Sequence, residues 1–252
     1  MIDFFYNLNP AIQTLIAASF AFLLNGLGAG TIFLFKKNIK EKIDTLLSIA
    51  AGIMLASTFF SLIMPALSKN GIAPALICSL GIILGAFLLF LGDKIYNLKQ
   101  KKDTASNIVF SIVLHNFPEG IAIGIAFGAA ATGLSTIAGA LAISFGIALQ
   151  NFPEGGALSF ILFKKGHKKL KAFLISSFSS FIEVIGALIG IILALKLELI
   201  LPLLLSIAAG AMLYVIVVEL IPESMQSKKK EKMALYLILG FIIMMIFDVI
   251  LS

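Results

Sequence analysis

One polar string occurs twice in this chain, each time inside an apolar stretch. The first copy is His115-Asn116-Phe117-Pro118-Glu119-Gly120, and the second, further along, is Gln150-Asn151-Phe152-Pro153-Glu154-Gly155. Ile, Leu, Val, Ala, Phe and Gly make up most of the sequence on either side. An ionisable side chain in such a stretch is costly to bury and usually has a function. Two matched copies therefore predict one site built from two helices.

The composition excludes a soluble protein. Of the 252 residues, 60% are hydrophobic and only 13% are charged, and the mean hydropathy is +1.08. Soluble domains carry about 25% charged residues, so this chain could not cover its surface with polar groups. One Cys and two His leave little room for a disulfide framework or a Cys/His zinc knuckle. The composition predicts an integral membrane protein.

Charged or turn-rich breaks divide the chain into eight apolar spans, each near the roughly 20 residues that a helix needs to cross a bilayer. The predicted spans are 10–35, 43–67, 72–95, 105–129, 134–163, 168–195, 198–222 and 231–251. Spans four and five are separated only by a turn around Gly133. We therefore predict an all-α integral membrane protein with a single transmembrane domain over residues 1–252.

The lysines predict the orientation of these spans. All 19 basic residues are Lys, and 17 of them lie between spans one and two, three and four, five and six, or seven and eight. Only Lys69 and Lys196 lie in the alternate loops. Short lysine-rich loops stay in the cytoplasm, so both termini are predicted to be extracytoplasmic. The net positive charge is thus explained by the membrane topology. The lysine-rich loops could also contact anionic lipid headgroups. Nucleic acid is not an expected partner.

An inverted repeat is predicted from two pairs of similar segments. Span two contains the sequence Ile-Ala-Ala-Gly-Ile-Met-Leu at residues 49–55, and span seven contains Ile-Ala-Ala-Gly-Ala-Met-Leu at 207–213. These two spans run in opposite directions, as do spans four and five with their hexapeptides. Repeats of opposite topology around a midplane site are a common transporter plan. We expect spans one to three and six to eight to be related in this way around spans four and five.

The hexapeptides carry donors that suit a divalent cation. Residues four apart share a helix face, which aligns His115 with Glu119 and Gln150 with Glu154. Together the copies offer two carboxylates, one imidazole and three amides, a mixed nitrogen and oxygen set without thiolates. Proline in each copy removes an N–H and is expected to disrupt the helix one turn earlier. The alternative is that these polar groups join packed helices by hydrogen bonds.

The paired motif resembles that of the ZIP (Zrt-/Irt-like) family of divalent metal transporters, and most closely its prokaryotic GufA-type branch. The resemblance covers essentially the whole chain and implies a binuclear metal centre between spans four and five. It also implies movement of zinc, or of cadmium, iron or manganese, into the cytoplasm by alternating access. The implied location is the cell membrane, with no cofactor apart from the transported ion. A homodimer is one possible assembly, which the resemblance does not decide.

The resemblance also assigns ligands. One ion would be held by His115, Glu119, Gln150, Glu154 and Met54. The second would be held by Asn116, Asn151, the same two glutamates and Glu219. Weaker candidates along the path are Ser61, which the resemblance places in its outer part, and Glu183 and Glu223. A structural hydrogen bond explains Glu183 about as well, and simple solvation explains Glu223 about as well.

Two departures from the family pattern concern the site. Many members have His where this chain has Gln150, which predicts a weaker first ion site or an altered metal preference. The Glu-Pro pair often found in span six is here Glu183-Val184. Two other functions remain as alternatives. A passive cation channel is poorly distinguished from a carrier, and an intramembrane metalloenzyme would require a motif such as HExxH, which this chain lacks.

Overall fold

The computed structural model describes residues 5–34, 39–67, 71–99 and 104–251, and within them the side chains at 39–40, 96–99, 104–115, 198 and 251 are left undescribed. The described chain is helical, and we number eight helical units in chain order. These are α1 (Pro10–Gly30), α2 (Ile39–Ser57, continuing to Met64–Ala66), α3 (Ile72–Lys99), α4 (Thr104–Ala131), α5 (Ile137–Lys164), α6 (Lys169–Ser179 and Phe181–Lys196), α7 (Leu201–Val215, continuing to Ile221–Ser224) and α8 (Lys230–Leu251).

Local sequence explains where several helices begin. The Asn9 side chain accepts a hydrogen bond of 2.9 Å from the Ala11 N–H, directly before Pro10 opens α1. Thr136 accepts from the Gly139 N–H at 2.9 Å and caps α5. Such side chains satisfy N–H groups that the first helical turn leaves unpaired. Gly133 has a φ of +78°, which allows the tight turn between α4 and α5.

Six helices in the described part of the chain are long and apolar enough to cross a membrane. They cover Pro10–Phe33, Glu41–Ala66, Ile72–Ile95, Lys169–Lys196, Leu201–Ser224 and Lys230–Ile250. The chain is therefore a multi-pass membrane protein. The hexapeptide helices α4 and α5 lie outside this set, although each has 28 residues. In α5 the polar residues Gln150, Asn151 and Glu154 lie mid-helix and lower its mean hydropathy.

The helices pack as two groups. In the first group α1 packs along α5 and α4 along α6, with α4 and α5 also in contact. In the second group α2 packs along α8 and α3 along α7. The groups meet where α2 contacts α5 and where α7 contacts α4. We call them the α1/α4/α5/α6 bundle and the α2/α3/α7/α8 bundle.

Glycines allow the closest helix crossings. A Cβ added at Gly120 or Gly124 would meet the backbone oxygen of Glu183 or Ala187, so α4 and α6 touch backbone to backbone. Glycines four residues apart commonly allow membrane helices to approach this closely. The crossing of α2 with α8 resembles the crossing of α7 with α3. In each of these four helices, a glycine lies three residues after the residue that the partner helix's glycine contacts. The contacts are Gly52 on Leu237 and Gly240 on Ile49 in the first crossing, and Gly210 on Ile82 and Gly85 on Ile207 in the second.

Two helices are locally widened into π-helix, in α2 over Thr58–Ile63 and in α7 over Ile216–Leu220. Pro65 and Pro222 follow these segments. Proline has no N–H to donate, so the hydrogen-bond ladder before it must rearrange. By contrast α4 and α5 continue as α-helix through Pro118 and Pro153. The disruption expected before Pro118 and Pro153 therefore does not interrupt either helix, whereas the π-helical segments precede Pro65 and Pro222.

Several lysine-rich segments lie at one end of the molecule. Lys229, which follows α7, forms an ion pair of 2.8 Å with Glu41 at the start of α2, and this partner raises the pKa of Lys229. Lys169, at the start of α6, donates to the Ile32 carbonyl oxygen after α1 at 2.9 Å. At the other end, the Phe5 ring contacts Phe127 near the end of α4, with centroids 6.2 Å apart.

Candidate metal site

The two hexapeptides face each other across the contact between α4 and α5. The Gln150 amide nitrogen Nε2 donates a hydrogen bond of 2.6 Å to Glu119 Oε1. Both side chains are fully buried. Glu119 also lies near enough to Glu154 and Glu183 for their charges to interact. The structure therefore brings side chains of the two hexapeptides into direct contact.

Glu183 joins the site from α6. Its Oε2 accepts a hydrogen bond of 2.7 Å from Asn151 Nδ2, and the side chain is fully buried. The position of Glu183 follows from local structure, because α6 breaks at Ser180 and restarts at Phe181. Gly120 then lies directly on the Glu183 backbone, which brings α6 against the first hexapeptide. The partners that the structure gives Glu119 and Glu183 are thus neutral amides.

Five oxygen atoms of the site are buried without a hydrogen-bond partner among the described residues. They are Asn116 Oδ1, Glu119 Oε2, Gln150 Oε1, Asn151 Oδ1 and Glu183 Oε1. A buried polar atom normally finds a partner, and leaving one unpaired costs free energy. All five are acceptors, four of them on the two hexapeptides and one on Glu183, which is bonded to Asn151. A bound cation is one partner that could satisfy such acceptors. Oxygen donors of this kind suit divalent metals.

Carboxylates alone would not complete a coordination shell here. Within the described side chains, no group of three or more His, Cys, Asp or Glu is close enough to hold a metal ion. The amides of Asn116, Gln150 and Asn151 are the other oxygen donors of the two hexapeptides. The predicted ligand Met54 is fully buried in α2. The predicted ligand His115 belongs to α4, but its side chain lies outside the described residues.

A cavity of about 690 Å³ leads away from the site toward the lysine-rich end. Asn116 and Glu154 line it near the hexapeptides, and Lys164 and Lys165 line it where α5 ends. Glu154 is half-buried. The predicted residues Glu219 and Glu223 also line this cavity, with Glu219 half-buried and Glu223 exposed. Glu223 accepts a hydrogen bond of 2.8 Å from Gln226.

The predicted path residue Ser61 lies on the other side of the site. It is buried in the π-helical segment of α2, and its hydroxyl donates a hydrogen bond to Asp248 of α8. The cavity lining does not include Ser61. The structure therefore places Ser61 apart from Glu219 and Glu223.

Sequence reasoning missed two polar residues that the structure places near the path. Asp248 is an acid near the end of apolar span eight, and Asn25 is an amide in the middle of span one. Asn25 lines the cavity and donates to the Ser176 carbonyl oxygen at 2.7 Å. The general cost of polar groups in a membrane span would have marked both. Their partners could not be predicted, because they lie on helices far apart in sequence.

The fold and this site define a class, the polytopic helical membrane proteins with a buried cluster of carboxylates and amides. A family model described as the ZIP zinc transporter matches residues 96–248, and the chain belongs to this family. It is accordingly a transporter of divalent metal rather than an enzyme.

Curated relatives agree with this family. The zinc transporter GufA of Myxococcus xanthus is 29% identical over 93% of this chain and 97% of its own length. The zinc transporter ZIPB of Bordetella bronchiseptica is 32% identical over 81% of this chain and 70% of its own length. The zinc transporter ZIP11 of Xenopus tropicalis is 27% identical over 96% of this chain and 98% of its own length.

Proposed function

We propose that this chain carries zinc, and related divalent transition metals, into the cytoplasm through a site between α4 and α5. The observation that carries the proposal is the cluster of five buried, unpartnered oxygen atoms around Glu119, Gln150, Asn116, Asn151 and Glu183. These oxygens are electron-pair donors, and a cation can bind to such atoms where no hydrogen-bond donor reaches them. The three relatives above are each named as zinc transporters, which supports zinc as the leading substrate.

The site holds two ions that share Glu119 and Glu154. The first ion takes His115, Gln150 and Met54 as further ligands, and the bond between Gln150 and Glu119 supports this grouping. The second ion takes Asn116 and Asn151. The hydrogen bond from Asn151 supports Glu183 as the carboxylate that completes this second set. Glu219 lines the cavity instead, and it meets the ion on its way out, followed by Glu223.

All eight helices span the membrane, with both termini extracytoplasmic. α4 and α5 are each about 42 Å long at 1.5 Å per residue, enough to cross the hydrocarbon core. The contacts Lys229–Glu41 and Lys169–Ile32 support a common cytoplasmic end for the lysine-rich loops. The matched glycine crossings and the corresponding π-helical segments in α2 and α7 support the inverted repeat.

The transporter works by alternating access of one bundle against the other. The cavity reaches the hexapeptides from the lysine-rich end, which corresponds to an inward-facing state. On the opposite side Ser61 and Asp248 are buried and bonded to each other. One open side and one closed side favour a carrier over a passive channel. Saturable, slow metal flux would support the carrier, whereas flux that stays linear with concentration would support the channel.

Metal uptake into proteoliposomes tests this function. We expect the parent protein to take up zinc, and Glu119→Ala and Glu154→Ala to lose uptake because each removes a shared ligand. Glu231→Ala, which changes an exposed acid at the start of α8, is the matched control and should keep parental uptake. Unchanged uptake of zinc, cadmium, manganese and iron in both site variants would defeat the proposal.

A further inference from the structure

Three helices meet on the closed side of the site, between the Ser61–Asp248 pair and the hexapeptides. At this point Ser57 of α2 and Met244 of α8 both lie against Gly146 of α5. A Cβ added at Gly146 would lie 2.9 Å from Met244 Sδ and 3.0 Å from Ser57 Oγ. A hydroxyl oxygen and a thioether sulfur therefore approach the same point, over a helix position that has no side chain.

The Ser57 hydroxyl has no hydrogen-bond partner among the described residues, although Ser57 is only 1% exposed. A serine in a helix commonly bonds to the carbonyl four residues earlier, as the neighbouring Thr58 does with Met54 at 2.7 Å. Met244 is fully buried beside the apolar residues Ile53 and Ala56. An unpaired hydroxyl in apolar surroundings is costly, so packing alone does not account for it.

The three helices place this point in line with groups already assigned to the path. On α2, Ser57 lies about one turn from Ser61 and about one turn from Met54, since residues three and four apart share a face. On α8, Met244 lies one turn from Asp248. On α5, Gly146 lies one turn from Gln150. Ser57 and Met244 thus stand between the Ser61–Asp248 pair and the ligands Met54 and Gln150.

We propose that Ser57 Oγ and Met244 Sδ form a transit coordination position for the metal ion on its way from the extracytoplasmic side to the hexapeptides. This rests on the proposed direction of transport. In the inward-facing state the position is closed by α5, and it opens when the α1/α4/α5/α6 bundle moves relative to α2 and α8. Because Gly146 has no side chain, Ser57 and Met244 can close directly onto α5 in this state.

A thioether ligand gives this position a preference among metals. Thioether sulfur is a soft ligand and favours softer ions, so Met244 should assist cadmium more than zinc. We expect Met244→Leu to lower the ratio of cadmium to zinc uptake several-fold, while the total uptake of zinc changes less. Met233→Leu is the matched control, because Met233 is an equally buried methionine near the other end of α8, and its ratio should be parental. An unchanged ratio in Met244→Leu would contradict a role for the sulfur.

Cysteine accessibility tests the position independently of metal preference. The only cysteine of the chain is the buried Cys78, so Cys78→Ser provides a cysteine-free parent. In this background Ser57→Cys should react with a membrane-impermeant methanethiosulfonate reagent added from the extracytoplasmic side, and saturating zinc should slow that reaction several-fold. Ser159→Cys, at a buried serine that lies in α5 instead of α2, should not react from that side.

The outcomes separate this inference from the proposed function. If the cysteine-free parent takes up zinc but Ser57→Cys stays unreactive, or reacts at the same rate with and without zinc, the transit position is wrong and the transporter proposal stands. If the parent takes up no divalent metal, the transporter proposal itself fails. Should Ser57→Cys not fold, Ser57→Ala should raise the KM for zinc while leaving the maximal rate less affected, and an unchanged KM would count against the hydroxyl.

Discussion

At the scale of single residues, the site consists of acids that are buried against amides instead of cations. Glu119 is paired with Gln150, and Glu183 with Asn151. An amide nitrogen can donate a hydrogen bond to one oxygen of a carboxylate. The second carboxylate oxygen and the carbonyl oxygen of the amide then remain available to an ion. Such ligands are also weak enough to release the ion. A transporter needs this combination more than it needs tight binding.

Substitutions of Glu183 and Glu219 should have different effects on metal binding. We expect Glu183→Gln to reduce the number of cadmium ions bound per purified protein at equilibrium, because it removes a carboxylate that contacts Asn151. Glu219→Gln should leave that number parental and slow metal release, since Glu219 lines the cavity. Equilibrium titration and uptake rates measure the two effects. The opposite pattern, with binding lost only in Glu219→Gln, would move the second ion site into the cavity.

The sequence indicated which polar side chains of α4 and α5 to examine, but not the partner that α6 supplies. The repeated hexapeptide pointed to Asn116, Glu119, Gln150, Asn151 and Glu154, because matched polar residues at helical spacing can be read from one chain. The bond between Asn151 and Glu183 could not be predicted, since it depends on how closely Gly120 lets α6 approach. No local pattern encodes that distance between helices.

At the scale of helices, close crossings depend on single glycines. A Cβ at Gly28 would collide with the backbone oxygen of Phe152, where α1 crosses α5. A Cβ at Gly30, two residues further, would meet only a ring atom of Phe173 at 3.9 Å, an ordinary contact. The two positions in one helix therefore offer a matched comparison.

We expect Gly28→Ala to destabilise the protein by about 1–3 kcal/mol, the usual cost of overpacking, because backbone must move to admit the new methyl group. Gly30→Ala should be close to parental. Thermal unfolding in detergent, followed by size-exclusion chromatography, measures the difference. Equal unfolding midpoints for the two variants would show that the backbones of α1 and α5 are not in contact at Gly28.

The prediction of helices was better than the prediction of their irregularities. The helical class followed from composition and hydropathy, and six of the described helices are apolar enough to cross a membrane. The turn between α4 and α5 lies at Gly133, as expected. The π-helical segments were not predicted, and disruption was expected instead around Pro118 and Pro153. Proline marks a missing N–H, but the surrounding packing decides whether the helix widens, bends or continues straight.

At the scale of the whole molecule, the two bundles enclose a cavity that extends from the hexapeptides toward the lysine-rich end. The topology can be tested by cysteine labelling in the Cys78→Ser background. We expect Thr132→Cys, between α4 and α5, to react with an impermeant maleimide on intact cells. Gln226→Cys, between α7 and α8, should react only after permeabilisation. The reverse labelling pattern would invert the proposed direction of transport.

The most direct measurement of the central claim is the position of the metal itself. Anomalous diffraction from crystals grown with cadmium should locate electron density between α4 and α5, within ligand distance of both Glu119 and Glu154. Glu231→Ala should retain this density, and Glu119→Ala should lose it. A protein that transports metal but shows no ion between these two glutamates would contradict the account.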